Sequence, residues 1–447
     1  MAGLAIARGD MLSMLLLGGL VVTATAIVMR EHGEIALRIW VVAGAVAFPL
    51  LRVPRDEPLL TFDRAWIASL VLVMVLGAGE RPGTSQGAGR LLWWALGWLT
   101  VAFGLRAMTT TAGLFPALKD WVEAVLLPAV LCRVAWRVID TPDRFRRLTG
   151  AMAVLGTGLG LSGIAEKVTG YSLAPLSGGV PRLDVQLGIV RVAGPYNVPE
   201  LYALVLTICL AGTLYWMRSG PRRTLVPGLA ACLSILAGIG LTLFRAGWLA
   251  AVVTIAVMLG AGARRSGRWL RIGAGGGVVV LLALLVFGRN EVVTTRLGDT
   301  GNVYGRLGAY AQSIEMFTER PLFGVGVGRF YAEQQLREDI VVGGIRSVEQ
   351  AHSSFMAVLV EQGIAGILPF LAVLAAGWLV ARSLRRRAVT RADLLMAGAL
   401  TAAGLSYLVM SATLTLHTLL PSNGLLAILL GAAARRLGQL EDPEEAS

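Results

Sequence analysis

Residues 225–262 read LVPGLAACLSILAGIGLTLFRAGWLAAVVTIAVMLGAG: twenty uncharged residues from Leu225 to Phe244, then Arg245, then seventeen more uncharged residues from Ala246 to Gly262. A hydrocarbon core of ~30 Å asks for ~20 apolar residues per helical crossing, so the stretch reads as two crossings joined by a tight hairpin. No acidic residue stands within fifteen positions of Arg245 on either side. An arginine at a helix centre costs ~2.5–3.5 kcal/mol on insertion scales, so one at a hairpin tip needs water or an anionic partner. One reading is a side chain snorkelling to the interface. The other is a guanidinium fork aimed at an anion, which suits phosphate because two parallel N–H groups match two oxygens.

The same pattern extends along the chain. With 55% hydrophobic and 15% charged residues and a mean hydropathy of +0.69, the 447 residues are too apolar for a water-soluble globule, which runs at ~45–50% apolar and ~25% charged. Runs long enough to cross occur near 11–29, 35–51, 64–79, 91–105, 117–138, 148–166, 198–217, 225–244, 246–262, 271–288, 353–381, 393–411 and 413–434. Lipid offers no partners to backbone amides, so these are helices. The expected fold is an all-α polytopic membrane protein of twelve or thirteen transmembrane helices, one transmembrane domain over 1–447. The run at 11–29 is followed at once by another and reads as a retained helix, not a cleaved signal.

The net charge of +12 is almost all arginine, since Lys119 and Lys167 are the only lysines. In a membrane protein such charge marks cytoplasmic loops and gives no reason to expect nucleic acid. Four clusters stand out: Arg133 to Arg147, Arg218 to Arg223, Arg264 to Arg271, and Arg382 to Arg391. Two crossings separate each successive pair. The connections 167–197, the Arg245 turn and 289–352 therefore fall on the far side, opposite the cytoplasm. The tail, 437–447, is expected to be a disordered cytoplasmic segment. Charges at Arg106, Lys119, Asp120 and Glu123 leave 106–123 without a clear side, and with it the choice between twelve and thirteen.

The long loop 289–352 carries seven arginines and eight acids before Ala351, near neutrality. From Val303 the positions Val303, Leu307, Tyr310, Ile314 and Phe317 recur at helical spacing, an amphipathic helix that Pro321 stops. Gly324, Gly326 and Gly328 then alternate. No strand–turn–helix unit surrounds them, so they read as turn glycines and not as a dinucleotide fingerprint.

Arg191 and Arg306 occupy far-side loops near the membrane. Each alone is an ordinary loop arginine; with Arg245 they make a cationic pocket for a diphosphate. His352 stands at the far-side start of the crossing 353–381, and imidazole exchanges a proton near neutral pH; a lone interfacial histidine is also commonly structural. His32 and His417 show no partners in sequence. Cys132, Cys209 and Cys232 lie in apolar runs without paired spacing and read as packing residues. Asp140 and Asp143 make no convincing metal pair, so the expected chemistry uses no metal and no cofactor.

Four blocks resemble the O-antigen ligase and polymerase family of bacterial envelope glycosyltransferases. They are Arg191-Val192-Ala193-Gly194-Pro195-Tyr196 with Pro199; Leu241 to Trp248 around Arg245; Gly305-Arg306-Leu307 running into Arg320 to Gly328; and Ala351-His352-Ser353-Ser354-Phe355 followed by Glu361 to Gly366. The resemblance implies a GT-C-like membrane enzyme with amphipathic helices in its periplasmic loop. It implies transfer of a glycan from an undecaprenyl-diphosphate carrier to a lipid or glycan acceptor, inverting and metal-independent, in lipopolysaccharide or polysaccharide biosynthesis. Its essential arginines carry over to Arg245 and Arg306, its histidine to His352, and Arg191 matches a further diphosphate contact. The chain departs from the family pattern at Phe244, Val198, Glu200 and Ser353, which bears on the acceptor. Glu349, Asp299 and Glu315 are rival bases. A polymerase joining carrier-linked repeats shares the donor pocket, and a flippase of lipid-linked glycans needs a similar arginine-lined path, though no internal repeat is visible.

Overall fold

A computed structural model describes residues 32–44, 52–53, 60–76, 87–110, 113–172, 182–184, 189–196, 198–262, 301–348 and 350–441, together with 19, 22–23, 25–27 and 46. The crossing expected at 271–288, the cluster from Arg264 to Arg271, Asp299 and Glu349 lie outside the described residues, as does most of 11–29.

The described chain is overwhelmingly helical. Its helices are α1 (Gly33–Ile39), α2 (Phe62–Leu76), α3 (Gly87–Met108), α4 (Leu114–Trp121), α5 (Leu127–Val138), α6 (Pro142–Thr169), α7 (Pro199–Ser219), α8 (Leu225–Leu241) and α9 (Arg245–Gly260). After the undescribed stretch come α10 (Gly301–Glu319), α11 (Phe330–Gln335), α12 (Ser354–Arg387), α13 (Arg391–Ser411) and α14 (Leu420–Glu441). Three antiparallel hairpins accompany them: β1 (Arg52–Val53) with β2 (Leu60–Thr61), β3 (Arg182–Asp184) with β4 (Ile189–Arg191), and β5 (Val341–Val342) with β6 (Ile345–Arg346). Six helices among the described residues are long and apolar enough to cross a membrane: α3, α6, α7, α8 with the turn before it, α12 and α13.

Helix α3 shows what surrounds the bundle. Leu91, Trp94, Trp98, Val101 and Leu105 form an exposed stripe at helical spacing, while Leu92, Ala95, Leu99, Phe103 and Ala107 are buried. A helix apolar all round with one face outward matches lipid as its solvent. Helix α7 sits at the centre, buried almost continuously from Leu201 to Thr213, against α6, α8, α9 and α13.

Local chemistry sets several boundaries. Thr141 caps α6 by accepting from the Arg144 amide, Pro142 fits the first turn, and Gly170 ends the helix in the left-handed conformation. Between α4 and α5 the chain stays helical through a wide turn over Val122–Leu126, which accommodates Pro128 and its missing amide. The crossing expected at 413–434 is displaced: 412–419 form a loop and α14 starts at Leu420. Pro421 explains this, because proline is tolerated in a first turn but not inside a helix. Helix α14 then continues to Glu441, where the Arg436 Nε donates to buried Asp393 at 2.7 Å and the Gln439 amide donates to the Asp140 carbonyl at 2.8 Å. Residues 437–441, expected in a disordered tail, are therefore helical; 442–447 lie outside the described residues.

Helix α12 is broken. Gly363 adopts φ 62°, ψ −157° inside it, and the segment after α10 docks against the break. The Val325 and Gly326 amides donate to the Val360 and Glu361 carbonyls, and those of Ile364 and Ala365 donate to the Pro321 and Leu322 carbonyls, all at 2.9–3.0 Å. Backbone groups orphaned by the break thus find partners in the loop, as a low-dielectric setting requires. A side chain would not fit at this junction: a Cβ on Gly324 would lie 2.3 Å from the Val360 oxygen, and one on Gly363 2.6 Å from the Leu322 backbone. The alternating glycines are turn residues, all three at positive φ, and they dock a loop into a broken helix.

The three described arginine clusters gather at one end of the body, where Arg218 donates to the Met258 and Ala261 carbonyls and Arg387 pairs with Glu441. The loops before α4 sit at the other end with 301–348: Thr110 donates to the Val327 carbonyl at 3.1 Å, and the Arg106 guanidinium lies 5.6 Å from the Phe323 ring centre. That gives the 106–113 connection a side.

Candidate functional site

The hairpin tip between α8 and α9 is built from three residues. Thr242 Oγ1 donates to the Ile239 carbonyl and accepts from the Phe244 amide at 3.2 Å. Leu243 takes φ +53°, and Arg245 opens α9. Phe244 provides no capping oxygen there; its ring is buried, so the residue that departs from the family pattern serves packing. The first amides of α9 and the Arg245 guanidinium therefore sit at one positive pole.

Strand β4 fastens onto this tip. The Val192 amide donates to the Leu241 carbonyl at 3.3 Å, and Arg191 Nε donates to the Thr242 carbonyl at 3.1 Å, satisfying carbonyls that the end of α8 leaves open. A terminal nitrogen of Arg191 pairs with Glu200 Oε1 at 2.6 Å, both side chains nearly buried. The contacts of Arg191 thus run inward to the scaffold, joining the hairpin tip to the first turn of α7.

Glu166, in α6, carries the next link. It is 2% exposed, and it accepts the Gly194 amide at 2.7 Å and the Ala193 amide at 3.4 Å. The turn after Arg191 needs this close approach: Gly194 has φ +57°, and a Cβ there would lie 2.5 Å from the Tyr202 ring.

Arg306 comes from α10. Gly305 and Gly308 on the same helix let 340–348 press against it, with the Val348 amide donating to the Gly305 carbonyl at 3.1 Å. One turn on, Tyr310 donates to the Ala412 carbonyl at 2.9 Å and reaches the His352 carbonyl at 3.2 Å. Burial raises the Tyr310 phenol above its usual range, and the nearby charge of Arg306 opposes that.

His352 precedes Ser353, whose hydroxyl caps α12 by accepting the Met356 amide. Its φ is +42°, and its buried Nδ1 has no hydrogen-bond partner among the described residues. Burial pushes its pKa down to about 4; the positive charge of Arg306 pushes the same way and the negative charge of Glu200 the opposite way. The imidazole is therefore neutral at pH 7. Glu200 thus touches Arg191 and acts through space on His352, while Arg306 acts on both His352 and Tyr310.

Of the rival bases, Glu315 is paired with Arg337 at 3.2 Å on the outer face of α10, alongside Glu319. Sequence reasoning singled out Arg191, Arg245, Arg306 and His352 but passed over Glu166 and Tyr310, and it noticed Glu200 only as a departure. Glu166 left a signal, a single carboxylate ending an apolar run. The Tyr310 hydroxyl left none, because its apolar ring fitted the helical stripe.

Residues 229–371 match the family model described as O-antigen ligase, so over this stretch the chain carries that family's domain. The match contains Arg245, Arg306 and His352 and begins after Arg191. No curated protein matches the chain. This match, with six helices among the described residues that are long and apolar enough to cross a membrane, supports a membrane enzyme of the O-antigen ligase or polymerase type.

Proposed function

We propose that this protein transfers a glycan from undecaprenyl diphosphate to a lipid A-core or similar acceptor at the periplasmic face of the bacterial inner membrane, as an inverting, metal-independent glycosyltransferase. The observation that carries the reading is the contact between the helix of Arg306 and His352: Tyr310, one turn beyond Arg306, reaches the His352 carbonyl at 3.2 Å, and the His352 Nδ1 is buried with no partner among the described residues.

The chemistry follows from the residue types. The acceptor hydroxyl attacks the anomeric carbon as the bond from that carbon to the diphosphate oxygen breaks. His352 takes the hydroxyl proton, and undecaprenyl diphosphate leaves with the bonding pair. Negative charge grows on the leaving oxygen, and guanidinium groups held in a low-dielectric pocket stabilise it without reorganising. Arg245 at the pole of α9 and Arg306 on α10 supply that charge; Arg191 holds the α8–α9 tip in position. A general base in this role is typically worth ~10²–10⁴ in rate.

Arg245→Ala and His352→Ala should each abolish glycan transfer in membranes containing donor and acceptor while protein levels stay normal. Normal transfer in both variants sinks the reading. Glycan analysis of a deletion strain separates ligase from polymerase: unligated long chains mean the first, single repeat units the second.

A further inference from the structure

A cavity of about 130 Å³ opens at the end of the body where Thr110 meets Val327. The end of α3, α4, the turn at Val327 and Gly328, the first turns of α12 and the loop 415–418 enclose it. None of Arg191, Arg245, Arg306 and His352 lines it, and among the described residues its wall contains no lysine or arginine.

Its polar wall combines the hydroxyls of Thr415 and Thr418 with several acceptors. Asp120 and Glu361 contribute carboxylates, and Glu361 Oε1 accepts the Phe330 amide at 3.3 Å. Gln362 and His417 are 2% and 6% exposed, and Gln362 Oε1 and His417 Nδ1 have no hydrogen-bond partner among the described residues. An unmet buried acceptor costs ~1–3 kcal/mol. Gln362 Oε1 is such an acceptor, and beside two carboxyl groups it calls for a ligand that donates; His417 Nδ1 adds a second unmet polar atom.

The occupant is constrained further. The ionisable side chains of the wall include two carboxyl groups and no arginine or lysine, so the cavity offers an anion such as a diphosphate no guanidinium or ammonium group to bind. Among the described residues no group of three or more His, Cys, Asp or Glu could hold a metal ion. At about 130 Å³ the cavity is smaller than the ~150 Å³ that takes a benzene ring, so it receives one edge of a substituted six-membered ring and leaves the rest of that ring outside. Phe103, Trp121 and Ala357 supply apolar faces, and the Trp121 ring is fixed by its Nε1 donating to the Thr100 carbonyl at 2.9 Å. Hydroxyl donors around a ring with C–H faces describe a neutral sugar.

We propose that this cavity is a sugar subsite that binds one uncharged pyranose unit of the acceptor glycan. Its designation as an acceptor site rests on the transferase reading above; the binding of sugar does not. Saturation-transfer NMR of the full-length protein in detergent, with methyl β-D-glucopyranoside and methyl N-acetyl-β-D-glucosaminide as probes, tests it. Saturation of ring protons is expected for at least one probe in the wild type. Gln362→Leu and His417→Phe, near in volume, should each weaken binding about tenfold, the equivalent of ~1.4 kcal/mol. Glu319→Gln, in the exposed pair with Arg337 and away from the cavity, should leave it unchanged. No saturation with either probe in the wild type, or equal saturation in the wild type and in whichever of Gln362→Leu and His417→Phe elutes as a folded particle, overturns the subsite. Sugar binding that is lost on Gln362→Leu in a protein without transfer activity upholds the subsite and removes the transferase reading alone.

Discussion

Leu243 and His352 are the two non-glycine residues among the described ones with positive φ, +53° and +42°, and both stand in the candidate site. The left-handed conformation costs an ordinary residue ~1–2 kcal/mol, and such outliers concentrate where surrounding structure over-determines them for function. Leu243 bends the chain so that Arg245 starts α9 directly after the tip; His352 bends it so that Ser353 caps α12. Leu243→Gly should therefore keep the hairpin, with thermal stability in detergent close to wild type. Leu243→Val, β-branched and worse at positive φ, should lower it. Equal stability of the two variants would show that the strain is not intrinsic to the tip.

Arg191 and Glu200 form a nearly buried pair at 2.6 Å. Removing one partner of such a pair leaves an uncompensated charge, at a cost of ~3–5 kcal/mol. Glu200→Ala should accordingly destabilise the protein strongly, whereas Glu200→Gln retains an acceptor for Arg191 and should lose less. Thermal unfolding of both variants in detergent checks the order; Glu200→Ala at wild-type stability would mean that Arg191 holds the tip through Thr242 alone.

The docked loop at the break in α12 makes a contrast within one glycine series. Gly324→Ala and Gly363→Ala place a Cβ within 2.3 and 2.6 Å of backbone atoms at positive φ, so both should sharply reduce the yield of folded protein. Gly328 also has positive φ, but nothing lies within 4 Å of its Cβ position. Gly328→Ala should therefore carry only the ~1–2 kcal/mol conformational cost. Size-exclusion profiles of the three variants separate them.

Sequence made the bundle and its basic end legible because lipid removes choices: an uncharged run of twenty residues has one stable backbone form, and arginines report the side. It located Arg245 and His352 because each interrupts or borders such a run. It missed what depends on contacts distant in sequence. Glu166 reaches Gly194 across 28 positions and Tyr310 reaches Ala412 across 102. The break at Gly363 was hidden because Glu361 to Gly366 reads locally as helix, and its stability comes from a loop forty residues earlier. The start of α14 was misplaced because hydropathy does not register that Pro421 must lie in a first turn.

His352 gives the site a pH signature. Proton acceptance needs the neutral imidazole, and its pKa lies at about 4 in the free protein, lowered first by burial and then by Arg306. The acid limb of kcat/KM should thus fall near pH 4, well below the ordinary histidine value of ~6.5. Arg306→Gln removes a positive charge and should shift the limb upward, though not fully, since burial persists. Glu200→Gln removes a negative charge and should shift it downward. A bound diphosphate adds negative charge, so the limb in kcat should lie above that in kcat/KM. Folding is linked with the same sign: the unfolded chain binds the proton first, so the His352 contribution to stability is present above pH ~6.5 and is lost as pH falls through about 4. Rate profiles of the wild type and both variants test this, and a limb near pH 6.5 that neither substitution moves would mean that His352 is not the group accepting the proton.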